Sequence, residues 1–443
     1  MLVTELPWRD PLACFAALAG DPHLAFLDSA TGGDPRSEFS YLCPDPVAVL
    51  RLDVGPVDDP FATIGAWFDR RRHETADDPP LPFTGGAIGF LGYDAGVAAA
   101  GIQTRHPPVP GLPGGWFGLY DTVLGFDHRN GKLWFVGHDR PDAPAAARLD
   151  ALHRWLDRPA YPGIAPRLDW QAEWTEDEYR ERVERVRTYI AAGDIFQANL
   201  THRFRAVWPA GLALPALYTA LRRQSPAPFA GYLDCGDGVA IIGASPEAFL
   251  CLAPDGWVET RPIKGTAPRG TTPEEDERFG HALLESAKDR AENLMIADLM
   301  RNDLGRVCAI GSVQVTELCA LETFSRAHHL VSAVRGRLRP GLGAIDLLRA
   351  GFPGGSITGA PKHRAMQIID EIETARRGAY CGTLAWLGFD GAMGSAIVIR
   401  SIVAAGETLF AQAGGGIVWD SDPEAEYQEM RLKVAPLLAA HDD

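Results

Sequence analysis

The sequence predicts an α+β protein built on antiparallel β-sheets. Short β-prone apolar runs come in clusters and longer helical patterns lie between the clusters, whereas a parallel sheet would show a regular alternation of the two. In the N-terminal third, Asn130-Gly131 separates the apolar runs 122–126 and 133–136, which is the pattern of a tight hairpin. The clustering and the hairpin together favour sheets whose neighbouring strands run in opposite directions.

Four helices are predicted after residue 173. Thr175 and Glu178 have the spacing of a capping box, in which each side chain bonds the backbone N–H of the other, and they begin a helix that extends to about residue 192. Three further helices carry a proline in the first turn, where its missing N–H is tolerated, and cover 273–300, 361–378 and 423–439. Strands are predicted between the helices at 239–242, 248–252, 382–389, 396–402 and 409–413.

Composition divides the chain into three regions. Residues 1–140 are rich in glycine, proline and short apolar runs and are predicted to form mainly strands and turns. Residues 141–172 turn to proline, alanine, arginine and aspartate, with one short helical pattern at 145–156, and are interpreted as a connector. Residues 173–440 carry the strongest helix and strand signals, and they hold most of the candidate functional residues described below.

The charge and the cysteines exclude several classes of function. The 42 basic and 58 acidic residues give a formal net charge of −16, which repels nucleic acid and anionic membrane surfaces, so neither is expected as a partner. The seven cysteines are scattered without a C-x-x-C pair, which argues against zinc and for a reducing compartment. Because the sequence shows no signal peptide and no apolar run of about 18 residues, we expect a cytoplasmic protein.

Acidic residues recur along two of the predicted helices. Glu285, Asp289 and Glu292 have spacings that place them on one face of the helix at 273–300. A similar face in the last predicted helix is formed by Glu426, Glu429 and Lys433. Two such faces brought together would supply the carboxylate oxygens that Mg²⁺ prefers. The alternative is that both are solvated outer faces, where charged stripes usually lie.

Two glycine-rich segments and one lysine are further candidates. Segment 352–362 leads into a predicted helix start and suits an anion, although it lacks the spacing of a phosphate-binding Walker loop. Segment 413–417 indicates close approach of the backbone to a ligand or to another part of the chain. Lys264 lies between Ile263 and Gly265, where burial would lower its pKa and free the amine as a nucleophile; the alternative is an ordinary surface lysine.

Six segments of the last region form a consistent series. They are 193–197 (GDIFQ), 245–247 (SPE), 262–266 (PIKGT), 298–307 (DLMRNDLGRV), 355–362 (GSITGAPK) and 413–433. In type and order they resemble the motifs of the chorismate-utilising enzymes, which include anthranilate, isochorismate and salicylate synthases. The resemblance implies an α/β sandwich: two antiparallel sheets packed face to face with helices outside, the N-terminal and C-terminal regions intertwined in one unit, and an active site at one end.

The resemblance also implies roles for individual residues. Glu292 and Glu429 match ligands of Mg²⁺, which would hold the ring carboxylate of chorismate, with Asp289 and Glu426 nearby through water. Glu247 matches the general acid that protonates the departing C4 hydroxyl group. The positions that match the remaining substrate-binding residues are Gln197, Thr266, His329, Tyr380, Arg400, Gly414, Gly415, Gly416 and Lys433.

Lys264 and Gln197 distinguish the branches of this family. Anthranilate synthases usually read PIAGT where this chain reads PIKGT, and a lysine there resembles the branch that makes 4-amino-4-deoxychorismate on the route to 4-aminobenzoate and folate. The resemblance implies that Lys264 attacks C2 as the C4 hydroxyl leaves, and that ammonia then attacks C4 and expels the lysine. Gln197 stands where isochorismate and salicylate synthases have a water-activating lysine, so ammonia is the expected nucleophile. Because no glutaminase pattern is present, a separate glutamine amidotransferase subunit is expected to supply it.

Two alternative functions stay open, together with one further ligand. The chain would be an anthranilate synthase component I, or a non-catalytic regulatory homologue that keeps the fold. Segments 26–29 and 39–42 resemble those that line a tryptophan pocket in the amine-forming members, although Asp28 stands where the family often has glutamate. Tryptophan would serve there as an inhibitor or as a buried structural ligand. The lining positions implied are Ser29, Ser40, Pro228 and Phe229.

Overall fold

Every strand pair in the structure is antiparallel, as the sequence predicts. The structure is a computed structural model that describes residues 1–31, 36–53, 59–71, 79–140, 142–158, 163–324 and 327–442. Residues 141 and 159–162 of the predicted connector lie outside the described residues.

The strands of the described residues are short at the N-terminal end and longer in the C-terminal half. They are β1 (Leu2–Leu6), β2 (Ala25–Asp28), β3 (Phe39–Cys43), β4 (Ala48–Leu52), β5 (Gly86–Leu91), β6 (Gly115–Tyr120), β7 (Thr122–Asp127), β8 (Lys132–Gly137), β9 (Gln171–Ala172), β10 (Gln197–Val207), β11 (Phe229–Asp234), β12 (Ala240–Ser245), β13 (Ala248–Leu252), β14 (Trp257–Thr260), β15 (Ile263–Pro268), β16 (Gln314–Thr323), β17 (Ala327–Arg337), β18 (Gly359–Ala360), β19 (Thr383–Gly388), β20 (Met393–Ile397), β21 (Ser401–Ala405) and β22 (Thr408–Ile417).

The helices lie between these strands, and a short 3₁₀ turn covers Gly355–Ile357. The helices of the described residues are α1 (Pro11–Leu18), α2 (Pro60–Asp69), α3 (Tyr93–Ala99), α4 (Ala145–Leu156), α5 (Glu176–Ala191), α6 (Leu214–Gln224), α7 (Pro273–Glu285), α8 (Ala287–Gly305), α9 (Ala344–Gly351), α10 (Lys362–Ile372) and α11 (Pro423–Leu438). In the described ranges, no helix is long and apolar enough to cross a bilayer.

Two large sheets contain all of these strands. The first has the order β1-β8-β7-β3-β2-β11-β12-β21-β22-β10-β18, with β9 paired to β10. The second has the order β15-β17-β14-β13-β20-β19-β5-β6-β4, with β16 paired to β17. Strands from the first 140 residues and from the rest of the chain are neighbours in both sheets, through the β2–β11 pair in one and the β5–β19 pair in the other.

Three apolar layers define the architecture. Between the sheets, buried side chains of the second sheet such as Ile88 and Trp116 pack with those of the first sheet such as Val123 and Ile241. The outer face of the first sheet is covered by α1, α4, α5, α6, α10 and α11, and that of the second by α2, α3, α8 and α9. The fold is therefore the predicted sandwich of two antiparallel sheets with helices outside.

The strongest local signals are confirmed. The predicted hairpin is the β7–β8 pair, and Gly131 in its turn has φ 64°, a left-handed conformation that glycine adopts without strain. The capping box at the start of α5 is formed in both directions: Thr175 Oγ1 accepts from the N–H of Glu178 at 3.3 Å, and Glu178 Oε2 accepts from the N–H of Thr175 at 2.7 Å. The short helical pattern at 145–156 and the last predicted helix also correspond to helices, α4 and α11.

The prediction of one helix over 273–300 is wrong. Ser286 has the extended angles φ −62° and ψ 106°, which end α7, and its side chain accepts from the N–H of Asp289 to begin α8. Glu285 is consequently on a different helix from Asp289 and Glu292, so the predicted three-residue acidic face does not exist. The sequence did carry the signal, because Ser286 and Asp289 have the spacing of a second capping motif.

Two other boundaries also differ from prediction. The apolar run 396–402 was predicted as one strand, but β20 belongs to the second sheet and β21 to the first. Arg400, at the corner between them, has φ 50°, a conformation that periodicity in the sequence does not reveal. The helix predicted to reach 378 ends at Ile372, because Glu373 turns to an extended conformation with ψ 148°.

A buried ion pair follows that early helix end. Arg377 is 1% exposed and Glu373 6% exposed, and their charged groups are 2.6 Å apart. Arg377 also donates to the carbonyls of Ile357 at 2.8 Å and Asn199 at 2.6 Å, and Glu373 accepts from the backbone and hydroxyl of Thr201. The pair thus links the 3₁₀ turn, β10 and the end of α10.

We expect Arg377→Met to lower the free energy of unfolding by about 3–5 kcal/mol, because it leaves the Glu373 carboxylate buried without its cation. Denaturant unfolding monitored by circular dichroism measures the loss. The matched control is Arg335→Met, which removes a half-exposed ion pair with Glu259 and should cost at most about 1 kcal/mol. Equal losses in the two variants would contradict the assignment of the Arg377 pair as a structural hub.

Candidate active site

A cavity of about 510 Å³ opens at one end of the sandwich. Its walls come from the loop between β12 and β13, from β15, β17 and β22, from the 3₁₀ turn, from the β20–β21 corner, and from the helices α8 and α11. The cavity brings together the sequence-predicted residues Glu247, Lys264, Thr266, Asp289, Glu292, His329, Tyr380, Arg400, Gly414, Gly415, Gly416, Glu426, Glu429 and Lys433. Glu285 and Gln197 do not line it.

Glu247 lies in the wall formed between the two sheets. It follows β12, and only 7% of the residue is exposed. The hydroxyl of Ser356 donates to Glu247 Oε1 at 2.9 Å. Burial raises the pKa of Glu247 to about 7, although this hydrogen bond and the charge of Lys264 act in the opposite direction. With a pKa of about 7, roughly half of the carboxyl groups are protonated at neutral pH, and the protonated form can act as an acid.

Lys264 lies on β15 and faces the same cavity. Burial lowers the pKa of its amine; the negative charge of Glu292 opposes that effect and the positive charge of Lys433 adds to it. Part of the Lys264 residue remains accessible to solvent, so the lysine is partly desolvated. A lower pKa increases the fraction of neutral amine, which is the nucleophilic form. One cavity thus holds a carboxylic acid and an amine that are both displaced toward their uncharged forms.

Thr266 and His329 form one side of the cavity. They are directly opposite each other in the β15–β17 pair, and Thr266 Oγ1 and His329 Nδ1 are within hydrogen-bond distance at 3.0 Å. The neighbouring His328 is directed elsewhere, with its ring nitrogens bonded to Asp276 and Thr323. Of the two adjacent histidines, only His329 lines the cavity.

Tyr380 and Arg400 lie near the corner where the chain passes between the sheets. Burial lowers the pKa of the Arg400 guanidinium, against the fields of Tyr380 and Glu429. A buried cation with a lowered pKa is stabilised by any anion that enters the cavity. The planar guanidinium suits a carboxylate, which it can bind through two parallel hydrogen bonds.

The three glycines of β22 allow very close packing. A Cβ atom on Gly415 would lie 2.9 Å from Glu426 Oε2. A Cβ atom on Gly416 would lie 2.5 Å from Gln197 Nε2 and 3.2 Å from Lys264 Nζ. Gln197 is fully buried on the same side of this strand as Lys264, and neither atom of its amide has a hydrogen-bond partner among the described residues. The predicted site residue Gln197 is thus in contact with the strand wall rather than with the open cavity.

Four carboxylates from two helices face each other across one end of the cavity. Asp289 and Glu292 come from α8, and Glu426 and Glu429 come from α11. Burial raises the pKa of Glu292 and of Glu426, and the nearby Asp289 and Glu429 raise them further. Burial also acts on Glu429, but its pKa is lowered overall because Lys433 lies 2.5 Å away.

The donor set fits a hard cation in its chemistry. In the described part of the chain, no three acidic, histidine or cysteine side chains are close enough to form a ready metal-ligand group. Lys433 contacts Glu429, and Lys288 is 4.0 Å from Glu292, so ammonium groups partly neutralise the carboxylates. Mutual repulsion of partly buried carboxylates nevertheless favours a divalent ion, and all the donors are oxygens of the kind that Mg²⁺ binds.

A second cavity of about 350 Å³ lies between the two sheets, away from the first. Ser29, Pro228 and Phe229 line it, as the sequence predicted for a tryptophan pocket, together with Trp386. Ser40 does not line it: it is fully buried, and its hydroxyl bonds the backbone N–H of Ser29.

Asp28, which stands where the family often has glutamate, bonds to three other side chains of the protein. One carboxylate oxygen accepts from the hydroxyl of Tyr218 at 2.7 Å and from the Nε of Arg222 at 2.5 Å, and the other accepts from Ser40 at 3.2 Å. The carboxylate is therefore fully engaged with its own chain.

Sequence reasoning missed four polar residues of the main cavity: Ser356, Lys288, Asn199 and Gln412. Ser356 lies in a segment identified as a glycine-rich loop and as a family motif, but its contact with Glu247 joins residues 109 positions apart. Lys288 is next to Asp289 and on the same helical face as Glu292, but the predicted carboxylate face did not include it. Asn199 and Gln412 carry no sequence signal of a role in this cavity.

The chain was compared with known proteins. A model of the chorismate binding enzymes matches residues 33–439.

The chain belongs to this family.

Among relatives, the aminodeoxychorismate synthase component 1 of Salmonella typhimurium is 42% identical over 98% of this chain and 97% of that protein. The anthranilate synthase component 1 of Streptomyces coelicolor is 39% identical over 97% of this chain and 86% of that protein. The crystal structure of anthranilate synthase component I from Streptococcus pneumoniae has a TM-score of 0.80 and 34% identity, covering 90% of this chain and 92% of that one. Relatives that are named for either of the two amine-forming activities are thus similar to this chain at nearly the same identity.

We expect Gly416→Ala to abolish tight binding of chorismate, because the new methyl group would occupy space held by the Gln197 amide and press on Lys264. Titration calorimetry with chorismate measures the loss. The matched control is Gly305→Ala at the end of α8, where a Cβ meets nothing within 4 Å and binding should not change. Unchanged affinity in a folded Gly416→Ala protein would show that this wall does not contact the substrate.

Proposed function

We propose that this chain is the chorismate-aminating component of an aminodeoxychorismate synthase. It would convert chorismate and ammonia to 4-amino-4-deoxychorismate and water. The observation that carries the proposal is the pairing of Lys264 with Glu247 in one cavity. Burial lowers the pKa of the lysine, which favours its free amine, and raises that of the glutamic acid to about 7, which favours its protonated form near neutral pH.

These two groups account for the first chemical step. The neutral amine of Lys264 attacks C2 of the ring, the two ring double bonds shift, and the C4–O bond breaks. Glu247 gives its proton to the departing hydroxyl, which leaves as water. A general acid in this role typically contributes ~10²–10⁴-fold in rate. Alanine at position 264 would have no amine for this step, which is why the lysine supports amination at C4.

Ammonia completes the exchange. It attacks C4, the double bonds return to their first positions, and the C2–N bond to Lys264 breaks to regenerate the amine. Gln197 supports ammonia over water as the incoming nucleophile, because an amide cannot take a proton from water near neutral pH. Its amide lies beside Gly416, on the side that faces Lys264, with both polar atoms unpartnered among the described residues, so it can bond a small polar molecule.

Charged groups around the cavity would orient the two carboxylates of chorismate. Arg400, with Tyr380 beside it and the backbone of Gly414 to Gly416 opposite, suits the enolpyruvyl carboxylate. Glu292 and Glu429 would hold Mg²⁺, with Asp289 and Glu426 near it through water. Bound there, Mg²⁺ would neutralise the ring carboxylate. Thr266, His329 and Lys433 complete the wall around the ring.

Ammonia would come from a separate glutamine amidotransferase subunit. Relatives of this chain are named as component 1 of their synthases, which supports a second component here. Tryptophan is proposed as the ligand of the cavity between the sheets, where Trp386 and Phe229 offer aromatic contacts. Because Asp28 is already bonded to Arg222 and Tyr218, the amino group of tryptophan would need another partner in that pocket.

We expect the chain, given chorismate, Mg²⁺ and ammonium, to form 4-amino-4-deoxychorismate. Lys264→Ala should reduce that product by ~10³-fold or more, because the nucleophile is removed. Liquid chromatography with mass detection separates it from anthranilate, which has lost the enolpyruvyl group.

Lys132→Ala, an exposed lysine paired with Glu5, is the control and should leave the rate unchanged. Anthranilate as the sole amination product of the unaltered chain would sink the proposal in favour of anthranilate synthase. Absence of any product despite chorismate binding would indicate a non-catalytic homologue.

We expect Glu292→Gln and Glu429→Gln each to raise the Mg²⁺ concentration needed for half-maximal activity by at least ~10-fold, because each removes one charged oxygen donor. Magnesium titrations of the rate and of chorismate binding by calorimetry measure the shift. Glu285→Gln is a close control, since it removes the same charge from the neighbouring helix α7 and should have no effect. If Glu285→Gln raises the required Mg²⁺ concentration as much as the other two variants do, the effect is one of long-range charge and not of metal ligation.

A further inference from the structure

Ser356 connects the cavity to a rigid part of the structure. It lies in the 3₁₀ turn Gly355–Ile357 between α9 and α10, lines the cavity, and is only 7% exposed. Its hydroxyl donates to Glu247 Oε1 at 2.9 Å, which makes it the described side chain that directly holds the acid. Sequence motifs place Ser356 in a glycine-rich loop and assign it no role in the reaction.

The turn that carries Ser356 is fixed from several sides. The Arg377 guanidinium donates to the carbonyl of Ile357 at 2.8 Å, and the hydroxyl of Thr358 donates to the carbonyl of Gly354 at 2.9 Å. Just beyond it, Lys362 bonds the carbonyl of Gly351 at 2.9 Å and the buried Asp303 at 2.6 Å. The Ser356 hydroxyl is therefore held by a cross-linked segment rather than carried on a loose loop.

Few contacts determine the orientation of the Glu247 carboxyl group. Besides Ser356, the backbone N–H of Ile263 approaches the carboxyl group, and the positive charges of Lys264 on β15 and Lys433 on α11 also act on it. Glu247 also receives a backbone contact from Ser245, whose hydroxyl accepts from its N–H at 3.3 Å. Of these side chains, Ser356 contacts the carboxyl oxygen itself.

We propose that Ser356 is a positioning residue for the general acid, which aims the proton of Glu247 at the departing C4 oxygen. Because Oε1 accepts the serine hydrogen, the acidic proton is placed on Oε2, and the carboxyl group cannot rotate freely. The same hydrogen bond becomes stronger as the proton leaves and Oε1 gains negative charge. Ser356 therefore stabilises the transition state more than the ground state. This inference rests on the proposed role of Glu247 as the acid.

The effect on pH dependence has a definite sign. The acid must be protonated to act, so the rate falls as pH rises through the pKa of Glu247, about 7 in the free protein. The bond from Ser356 stabilises the carboxylate and lowers that pKa. Removing the hydroxyl therefore raises the pKa, and the alkaline limb of the kcat/KM profile, which reports the free protein, moves to higher pH. The plateau rate falls at the same time, because the acid is less well oriented and weaker.

The experiment compares variants at position 356 in the full chain with chorismate, Mg²⁺ and ammonium. Ser356→Ala should lower kcat about tenfold, move the alkaline limb up by about one pH unit, and change the KM for chorismate little. Ser356→Thr keeps the hydroxyl and should restore both the rate and the limb. Ser356→Cys, a weaker donor, should lie between them and serves if the alanine variant does not fold.

Two controls separate positioning from structure. Thr358→Val removes a buried hydrogen bond from the same turn without touching Glu247, and it should leave the alkaline limb in place. In a Glu247→Gln background, Ser356→Ala should cost little further rate, because its effect passes through the acid. An unmoved limb in Ser356→Ala, or an equal loss in the Glu247→Gln background, would overturn the proposal.

The proposal can fail separately from the proposed function. The C4 hydroxyl leaves during amination at either carbon, so the pH profile is measured on whichever amine product forms. Anthranilate as the product, with the limb still moved by Ser356→Ala, would reject amination at C4 and retain the role of Ser356. If the product is 4-amino-4-deoxychorismate and the alkaline limb does not move, amination at C4 is retained and the role of Ser356 is rejected.

Discussion

The buried pair of Arg377 and Glu373 holds together the segments on which the cavity depends. Through it, the 3₁₀ turn that carries Ser356 is tied to β10, and the carbonyl of Arg377 accepts from the side chain of Gln412 in β22. Each of those segments contributes side chains or backbone to the cavity wall. The directional bonds of this ion pair fix the relative positions of several strands and turns at once. Apolar packing alone would tolerate small shifts between them.

The cavity resolves the conflict between an acidic chain and an anionic ligand. The protein as a whole has a net charge of −16, yet Lys264, Lys288, Arg400 and Lys433 all face this one space. Desolvation acts on acids and bases in opposite directions, so the same burial that raises the pKa of Glu247 lowers that of Lys264. Opposite chemical roles therefore follow from one environment.

Most of the local structure could be predicted from the sequence. The predictions were wrong mainly where contacts between distant segments determine the conformation. The hairpin at Asn130-Gly131 and the capping box at Thr175 depend on neighbouring residues, and both were predicted correctly. The break at Ser286 had a local signal that the long helical pattern obscured. The corner at Arg400 had none, because its conformation is set by the two sheets that it joins.

The candidate site was predictable through motif resemblance but not through geometry. Glu247, Lys264 and the acidic residues of α8 and α11 were identified individually, yet spacing alone did not indicate that they share a cavity. Ser356 had to be seen beside Glu247 to acquire a role, since hydrogen bonds between distant segments leave no periodic trace in a sequence.

The intertwined sheets have a consequence for how the chain reaches its native state. β2 and β5 are made early, but their neighbours β11 and β19 are made much later, as the pairing of Phe90 with Leu384 illustrates. Pairings of such long sequence separation are slow, because the entropy of closing large loops must be overcome before any contact forms. A growing nascent chain therefore presents unpaired strand edges until the later strands emerge from the ribosome, and protection from aggregation during that interval becomes part of what the topology requires.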